Sequence, residues 1–484
     1  MGPGARSRRH RRGRPETELE LSGFLLTVFG IVAFAVGLLF SIGFHEFGHF
    51  FWARKFGMRV PQFFVGFGPT VFSRRYGETE FGIKGVPLGG FIRIVGMIPP
   101  AEPDESKRAT RMRSFIAEVR GAALDDVRPS DGDRVFYKKP WWQRVVVMAA
   151  GPLHNLVLAV LFFLVLLVGI GLPVSSTTLQ AVPNCVLPAG AASAAEDDPC
   201  EVPITPAGEL CAVGSADCAL PAAGPAKQAG LQAGDTILAI DGEPVPDEPD
   251  EGWAALVDSV QASAGQPLTL TVAREDDEGT TERFDLTVTP IENTVYVDDD
   301  EDGEVDGTTE VGYLGVQSAQ TYVRQPLSSL PGYFGDVVVE SVQRLVEIPE
   351  RIPQLFRAAF LGEERDPMGP IGLVGVGRLS GEAFAFDGYT TTFKISFFVG
   401  LLASVNLVLF LFNLLPIYPL DGGHVAGALY EKARATVARL RGRPDPGPFD
   451  IARLMPVAYV VAGLFILLSG LLVIADVVNP ITLQ

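Results

Sequence analysis

The chain has 484 residues, of which 47% are hydrophobic and 20% are charged, and its formal net charge at pH 7 is −18. It is too apolar for an ordinary soluble protein and too charged to lie wholly inside a membrane. Membrane-spanning helices joined to a polar domain satisfy both limits. No nucleic-acid partner is expected of so acidic a chain.

Four stretches lack Asp, Glu, Lys and Arg over lengths that can cross a bilayer. They are residues 21–44, 145–174, 395–420 and 454–475. We therefore predict a polytopic α-helical membrane protein with four transmembrane helices in contact with the lipid bilayer. The spans are assigned to residues 21–56, 145–174, 393–424 and 454–478.

Charged residues are unevenly distributed between the connections. Residues 53–144 hold 17 Lys and Arg against 10 Asp and Glu, whereas residues 172–392 hold 9 against 38. Since basic loops stay in the cytoplasm, we place the first connection and the loop 425–453 inside the cell and the acidic segment outside. Residues 1–20 form a basic polar tail. With the first connection inside the cell, the tail before the first span would lie outside. The same rule disfavours a basic tail there, so the side of the tail stays open.

The first span ends in the motif His45-Glu46-Phe47-Gly48-His49. Histidines four residues apart project from one helix face and can bind one zinc ion, with the glutamate between them placed to act as a base. Arg54 follows His45 by nine residues, so the motif lies roughly 13 Å inside the first charge. An ionisable residue at that depth is typically functional.

Residues 57–144 are predicted to form a small membrane-associated β-hairpin or sheet, then a cytoplasmic loop with a short helix near residues 112–120. Short runs bounded by glycine and proline indicate the strands. The second span opens with Gly151-Pro152 and carries His154 and Asn155 at membrane depth. His154 is a candidate metal ligand, although a packed or hydrogen-bonded histidine is more common in such a position.

Residues 175–318 are predicted to form a domain outside the cytoplasm. The pattern A-G-L-x-x-G-D-x-I-x-x-I-D-G over residues 229–242 resembles that of an α+β PDZ domain. Such a domain binds a peptide tail as an added strand, and Gly230 and Leu231 are candidate peptide-binding residues. Strands at residues 178–182, 268–273, 284–289 and 313–316 and a helix at 253–262 are expected.

An insertion over residues 183–224 contains all the cysteines, Cys185, Cys200, Cys211 and Cys218. An even number of cysteines on an oxidising side predicts two disulfides, with three possible pairings. The acidic run 298–303 begins like a calcium loop, but the twelfth position is Thr309. We interpret this run as a solvated loop.

Residues 319–392 are expected to form a juxtamembrane amphipathic segment with a helix at 333–360. The third span then ends in Asn413, two prolines and an LDGG motif that contains Asp421. Prolines and an acid at membrane depth are tolerated where a broken helix lines an enclosed cavity. Asp421 is the preferred third metal ligand because it lies at the depth of the histidine pair. His424 ranks second, and the alternative role for Asp421 is a helix cap before the Gly-Gly turn.

These motifs, in this order along nearly the whole chain, resemble the site-2 protease family of intramembrane zinc peptidases in its bacterial form with a PDZ domain. The resemblance implies that His45, His49 and Asp421 bind zinc and that Glu46 is the general base. It also implies that Asn413 helps to hold the substrate, and that Gly89 and Gly90 belong to a membrane-reentrant β-loop that pairs with an unwound substrate.

The resemblance further implies a protease of the bacterial plasma membrane with its active site in the cytoplasmic half. Its substrates would be single-span membrane proteins, such as anti-sigma factors, cut within the membrane after a first cut outside. Two other classes fit less well. A non-catalytic PDZ receptor needs no glutamate beside two ligands, and a transporter would be expected to show internal repeats, which we do not find.

Overall fold

A computed structural model describes residues 16–482 of the chain apart from short gaps. The gaps are residues 101–110, 189–190, 192–198, 206–209, 212–217, 277–278, 298–306, 364, 367–368 and 387. The acidic run 298–303 and most of the basic tail therefore lie outside the described residues. The chain divides into two compact units, one made of Met1–Ile170 with Pro326–Gln484 and the other of Gly171–Gln325.

The helices, in chain order, are α1 (Glu16–Lys55), α2 (Arg111–Leu124), α3 (Trp141–Leu164), α4 (Pro225–Ala229), α5 (Pro249–Gln261), α6 (Leu330–Phe360), α7 (Leu373–Ala385), α8 (Thr391–Leu414), α9 (Asp421–Leu440) and α10 (Met455–Val478). The strands are β1 (Gln62–Tyr76), β2 (Thr79–Arg93), β3 (Leu172–Ala181), β4 (Cys185–Val186), β5 (Ala222–Ala223), β6 (Thr236–Ile240), β7 (Glu243–Pro244), β8 (Leu268–Glu275), β9 (Thr281–Val288), β10 (Ile291–Val297), β11 (Gly307–Tyr313) and β12 (Gln317–Val323).

Within the described chain, four helical segments are long and apolar enough to cross a membrane, as predicted. They are Leu21–Lys55, Trp141–Ile170, Thr391–Leu414 and Ile451–Val478. The second includes a π-helical end, Val165–Ile170. The protein is therefore a multi-pass membrane protein, and the long apolar surfaces that these helices expose match a lipid environment.

The third span differs from its predicted bounds. Its helix, α8, ends at Leu414, and a new helix, α9, begins at Asp421 and continues to Leu440. The LDGG motif is thus the start of a separate helix, and much of the predicted loop 425–453 is helical. Pro416 and Pro419 explain the break, because a proline inside a helix removes a hydrogen bond and clashes with the preceding turn.

Helix α7 lies in a segment that was predicted only as juxtamembrane and amphipathic. It packs against α1 through small residues: the Ser380 hydroxyl donates to the Gly30 carbonyl at 3.0 Å. A Cβ on Gly30 would lie 2.5 Å from the Ser380 carbonyl oxygen. Small residues let two membrane helices approach this closely. The neighbouring α6 agrees with the predicted helix at 333–360.

Strands β1 and β2 form the sheet that follows the first span. Val65 pairs with Gly90 on one side and with Ile83 on the other, so residues 62–65 run through the middle of the sheet. Residues 90–93 form one edge, which no other strand of the described chain extends. The sheet was predicted, and its position after α1 places that edge beside the HExxH motif.

The tip of this sheet is anchored by Glu78. Its carboxylate accepts hydrogen bonds from Arg134 at 2.8 Å and from Arg54 at 2.9 Å. These guanidinium groups, Arg134 first, lower the pKa of Glu78 to about 2. The hairpin is therefore held to the end of α1 and to the segment before α3.

The second unit is an antiparallel sheet of order β12-β3-β6-β8-β9 with β7 paired to β6. Its core contains Leu179, Ile237, Leu256 and Leu270. The predicted helix and three of the predicted strands are present. The strand predicted at 313–316 is wrong, because residues 314–316 connect β11 to β12.

The cysteines form two disulfides, as predicted, and the pairs are Cys185–Cys200 and Cys211–Cys218.

Candidate metal centre

Two helices bring three metal-binding side chains together. His45 and His49 lie one turn apart on α1, with their Nε2 atoms 3.1 Å from each other. Asp421, the first residue of α9, places Oδ2 3.2 Å from both Nε2 atoms. Both imidazoles are buried, and the carboxylate is half-buried. Among the described residues this is a group that could hold a metal ion.

The three separations fit zinc. Tetrahedral zinc with metal–ligand distances near 2.0–2.1 Å sets its ligand atoms about 3.3 Å apart. The observed separations of 3.1 and 3.2 Å are close to that value. Two imidazoles and one carboxylate also match the usual donors of a catalytic zinc site, which keeps a fourth position open.

The His49 ring is oriented by the backbone of α3. Its Nδ1 lies 2.7 Å from the Val147 carbonyl oxygen, so Nδ1 carries the proton and donates it. Nε2 is then left without a proton and free to bind a metal. A histidine ligand typically donates its second ring N–H in this way.

Gly151 leaves the space that the two imidazoles occupy. A Cβ at this position would lie 2.1 Å from His49 Nε2 and 2.7 Å from His45 Nε2. Only glycine therefore allows α3 to pass so close to the two rings. The sequence showed this glycine at membrane depth but gave no sign that it lies beside the metal-binding side chains.

The turn before α9 also depends on glycine. A Cβ on Gly422 would lie 2.3 Å from the carbonyl oxygens of both Leu414 and Leu415, and one on Gly423 would lie 2.8 Å from Tyr418 N. The two glycines let the first turn of α9 pack directly against the last residues of α8. This tight turn is what carries Asp421 to the histidines.

Glu46 lies between the two histidines in sequence and next to the sheet edge in space. A Cβ on Gly90 would be 3.0 Å from Glu46 Cγ, so the glutamate side chain lies against this edge. Gly89, at φ +84°, adopts the left-handed conformation that favours glycine. The Glu46 side chain thus reaches an unpaired strand from the helix that carries both imidazoles.

Two other histidines lie outside the three-residue group. His154 Nδ1 donates to the Ala150 carbonyl at 2.7 Å, and its ring packs on Phe44. His424 packs on Tyr418, with ring centroids 4.6 Å apart. The expectation of a packed, hydrogen-bonded His154 is confirmed.

The remaining predicted residues have backbone or packing roles in the structure. Asn413 lies in the last turn of α8, where its Nδ2 donates to the Leu409 carbonyl at 2.9 Å. Gly230, at φ +92°, ends α4. Leu231 is 1% exposed in the core of the second unit. The part that Gly230 and Leu231 play in peptide binding stays a prediction.

The family model of peptidase family M50 matches residues 33–443. The chain is similar to zinc metalloprotease Rip1 of Mycobacterium tuberculosis, with 35% identity over 468 residues, which cover 95% of this chain and 100% of that protein. Zinc metalloprotease RasP of Geobacillus kaustophilus is 27% identical over 461 residues, which cover 84% and 90%. The match and these relatives show that the chain belongs to peptidase family M50, the site-2 protease family, and that it is a membrane zinc metalloprotease.

Proposed function

We propose that this protease hydrolyses peptide bonds inside the transmembrane segments of single-span membrane proteins, such as anti-sigma factors, after a first cut outside the cytoplasm. The observation that carries the proposal is the position of the His45–His49–Asp421 group. Two of its members lie in an apolar helix long enough to span a bilayer. A site at that depth is reached more readily by a membrane segment than by a soluble chain.

His45, His49 and Asp421 hold the zinc, and Glu46 is the general base. When bound, zinc supplies a Lewis acid that polarises the scissile carbonyl and promotes deprotonation of water. Glu46 accepts that proton and passes it to the leaving amine. Its place beside the ligands but outside the ligand group supports this division of roles.

The edge of the β1–β2 sheet receives the substrate. A transmembrane helix hides its carbonyl groups in intrahelical hydrogen bonds, so it must unwind locally, and the freed groups need new partners where water is scarce. Residues 90–93 offer an unpaired edge next to Glu46, and β-strand addition is the mode of binding such an edge permits. Gly89 and Gly90 let this strand pack closely against Phe67 and Glu46. Asn413 binds the substrate from the end of α8.

The charge of the loops supports an active site in the cytoplasmic half of the bacterial plasma membrane. Arg54 and Lys55 end α1 just beyond the histidine pair, and basic residues mark the cytoplasmic side. The acidic second unit then lies outside the cytoplasm. Its disulfides fit an oxidising compartment.

We assign the second unit to the PDZ class on the pattern at residues 229–242 and its α+β architecture. Arg274 donates a hydrogen bond to the Gly230 carbonyl at 2.9 Å and holds the backbone there. Arg274 is in turn paired with the buried Asp235 at 2.6 Å. Peptide tails of substrates are the proposed ligands of this domain.

The proposal is tested with the full chain reconstituted in lipid vesicles with a single-span substrate that lacks its external domain. Glu46→Ala should abolish cleavage while zinc stays bound, because the glutamate is a base and not a ligand. Asp133→Ala, which removes a highly exposed carboxylate, is the matched control and should cleave normally. Unchanged turnover in the Glu46→Ala variant would refute the assignment.

A further inference from the structure

Three polar side chains lie one helical turn away from the proposed zinc ligands, inside the membrane unit. Ser41 precedes His45 by four residues on α1, and Asn155 follows Gly151 by four residues on α3. Asn406 of α8 donates to the Ser41 hydroxyl at 2.9 Å. All three residues are 0% exposed. We refer to Ser41, Asn155 and Asn406 as the polar layer.

Helix packing puts the three members at one depth. Gly151 packs against the His45 and His49 rings, and α1 and α3 are antiparallel. Asn155, one turn after Gly151 on α3, therefore lies at the depth of Ser41, one turn before His45 on α1. Side chains on a helix tilt toward its N-terminus. Because α1 and α3 run in opposite directions here, the His45 ring tilts toward the polar layer and the Asn155 side chain tilts back toward the rings.

The hydrogen bonds of the polar layer are incomplete within the described chain. Asn406 Nδ2 donates to Ser41 and to the Leu402 carbonyl, but its Oδ1 has no partner. Neither Nδ2 nor Oδ1 of Asn155 has one, and His45 Nδ1 also lacks one. His49 Nδ1, by contrast, is bonded to Val147. Burying an amide without a partner costs free energy, so such groups are normally satisfied by protein or by ordered water.

We propose that Asn155 is a positioning residue for the zinc ligand His45 and acts through a buried water molecule. The water accepts a hydrogen bond from His45 Nδ1–H and donates hydrogen bonds to the carboxamide oxygens of Asn155 and Asn406. It then has three partners, the usual number for buried water. This arrangement gives His45 the second ring hydrogen bond that His49 obtains from Val147. The inference rests on the proposed ligand set.

The test compares zinc affinity with the stability of the zinc-free protein. Zinc affinity of the full-length protein in detergent is measured by competition with a chelator, and unfolding of the stripped protein is followed thermally. Asn155→Leu should weaken zinc binding by about 10–100-fold. The stripped variant should lose little thermal stability beside that loss of affinity, because the Asn155 side chain bonds to no other described residue and only its hydrogen bond to the water is removed. Asn155→Ser, which retains a hydroxyl, should bind zinc more tightly than Asn155→Leu.

Ser380→Ala is the matched control. Ser380 is also buried in the membrane unit but bonds to Gly30 and not toward the metal-binding group, so this change should leave zinc affinity unaltered. Wild-type zinc affinity in Asn155→Leu would overturn the inference. So would a stripped Asn155→Leu protein that is largely unfolded under the binding conditions, since its weaker zinc binding would then follow from lost packing. His45→Ala is measured alongside, and tight zinc binding by that variant would instead refute the ligand set.

Discussion

Replacing Gly151 by alanine tests whether the approach of α3 to the histidines determines metal binding. The added Cβ would lie 2.1 Å from His49 Nε2. An unstrained contact needs about 3.5 Å, so the ring must move by roughly 1.4 Å. It has little freedom to do so, because its Nδ1 is bonded to Val147 at 2.7 Å. His45 Nε2, at 2.7 Å from the same Cβ, is displaced as well.

A shift of that size should move the donor atoms out of the tetrahedral arrangement that zinc requires. Misplacing a reacting group by 1 Å costs about 100-fold in rate, so we expect at least that loss of cleavage together with lower zinc occupancy. Failure to fold is not the expected cause. Alanine gains about 1 kcal/mol of helix propensity over glycine, which offsets part of an overpacking cost of about 1–3 kcal/mol.

The assay measures zinc content, thermal unfolding and cleavage of a single-span substrate on the same preparation of Gly151→Ala. Gly470→Ala is the matched control, because it also lies in a membrane helix and its added Cβ meets nothing within 4 Å. The control should behave like the unmodified protein. If Gly151→Ala holds one zinc and cleaves at the normal rate, the steric reasoning is wrong.

Three further predictions concern the third ligand, the disulfides and the sheet tip. Asp421→Ala should lower zinc occupancy and cleavage together, whereas His424→Ala should keep its zinc. If metal analysis finds zinc in Asp421→Ala and none in His424→Ala, His424 is the third ligand. Thiol labelling of the denatured, unreduced protein should find no free cysteine, and four labelled thiols would place the second unit in a reducing compartment. Because Arg134 and Arg54 lower the pKa of Glu78, its contribution to stability is present above the pKa of the unfolded state and is lost as the pH falls through the folded-state value. Glu78→Gln should therefore unfold at a lower temperature than the unmodified protein at pH 7, by an amount that shrinks on acidification; a difference independent of pH would count against the ion pairs.

The chemistry of the site could be predicted because it depends on residue types at fixed spacing. His45 and His49 share a helix face whatever surrounds them, and Asp421 is an acid at matching membrane depth. The structure brings the three together at 3.1–3.2 Å. The number of spans was likewise predictable, since runs without charge are required by the bilayer.

Features that depend on close packing could not be predicted. The role of Gly151 becomes visible only when the two imidazoles are seen to fill the space that a side chain there would need. Two prolines indicated a break at the end of α8, but the continuation from Asp421 to Leu440 as a separate helix was not predicted. Helix α7 was missed because glycines at 375, 377 and 381 lower its helix propensity, and packing on α1 overrides that cost. The burial of Leu231 in the core of the second unit was likewise not evident from its motif.

The position of the cut in a membrane substrate tests the central claim most directly. A single-span protein lacking its external domain is incubated with the zinc-loaded enzyme in lipid vesicles, and the products are identified by mass spectrometry. We predict a single cut, with its new C-terminus and new N-terminus within the apolar segment and nearer its cytoplasmic end, and no product with Glu46→Ala. A cut in the flanking soluble residues, or an intramembrane cut that persists in the Glu46→Ala enzyme, would contradict an intramembrane zinc site that uses Glu46 as its base.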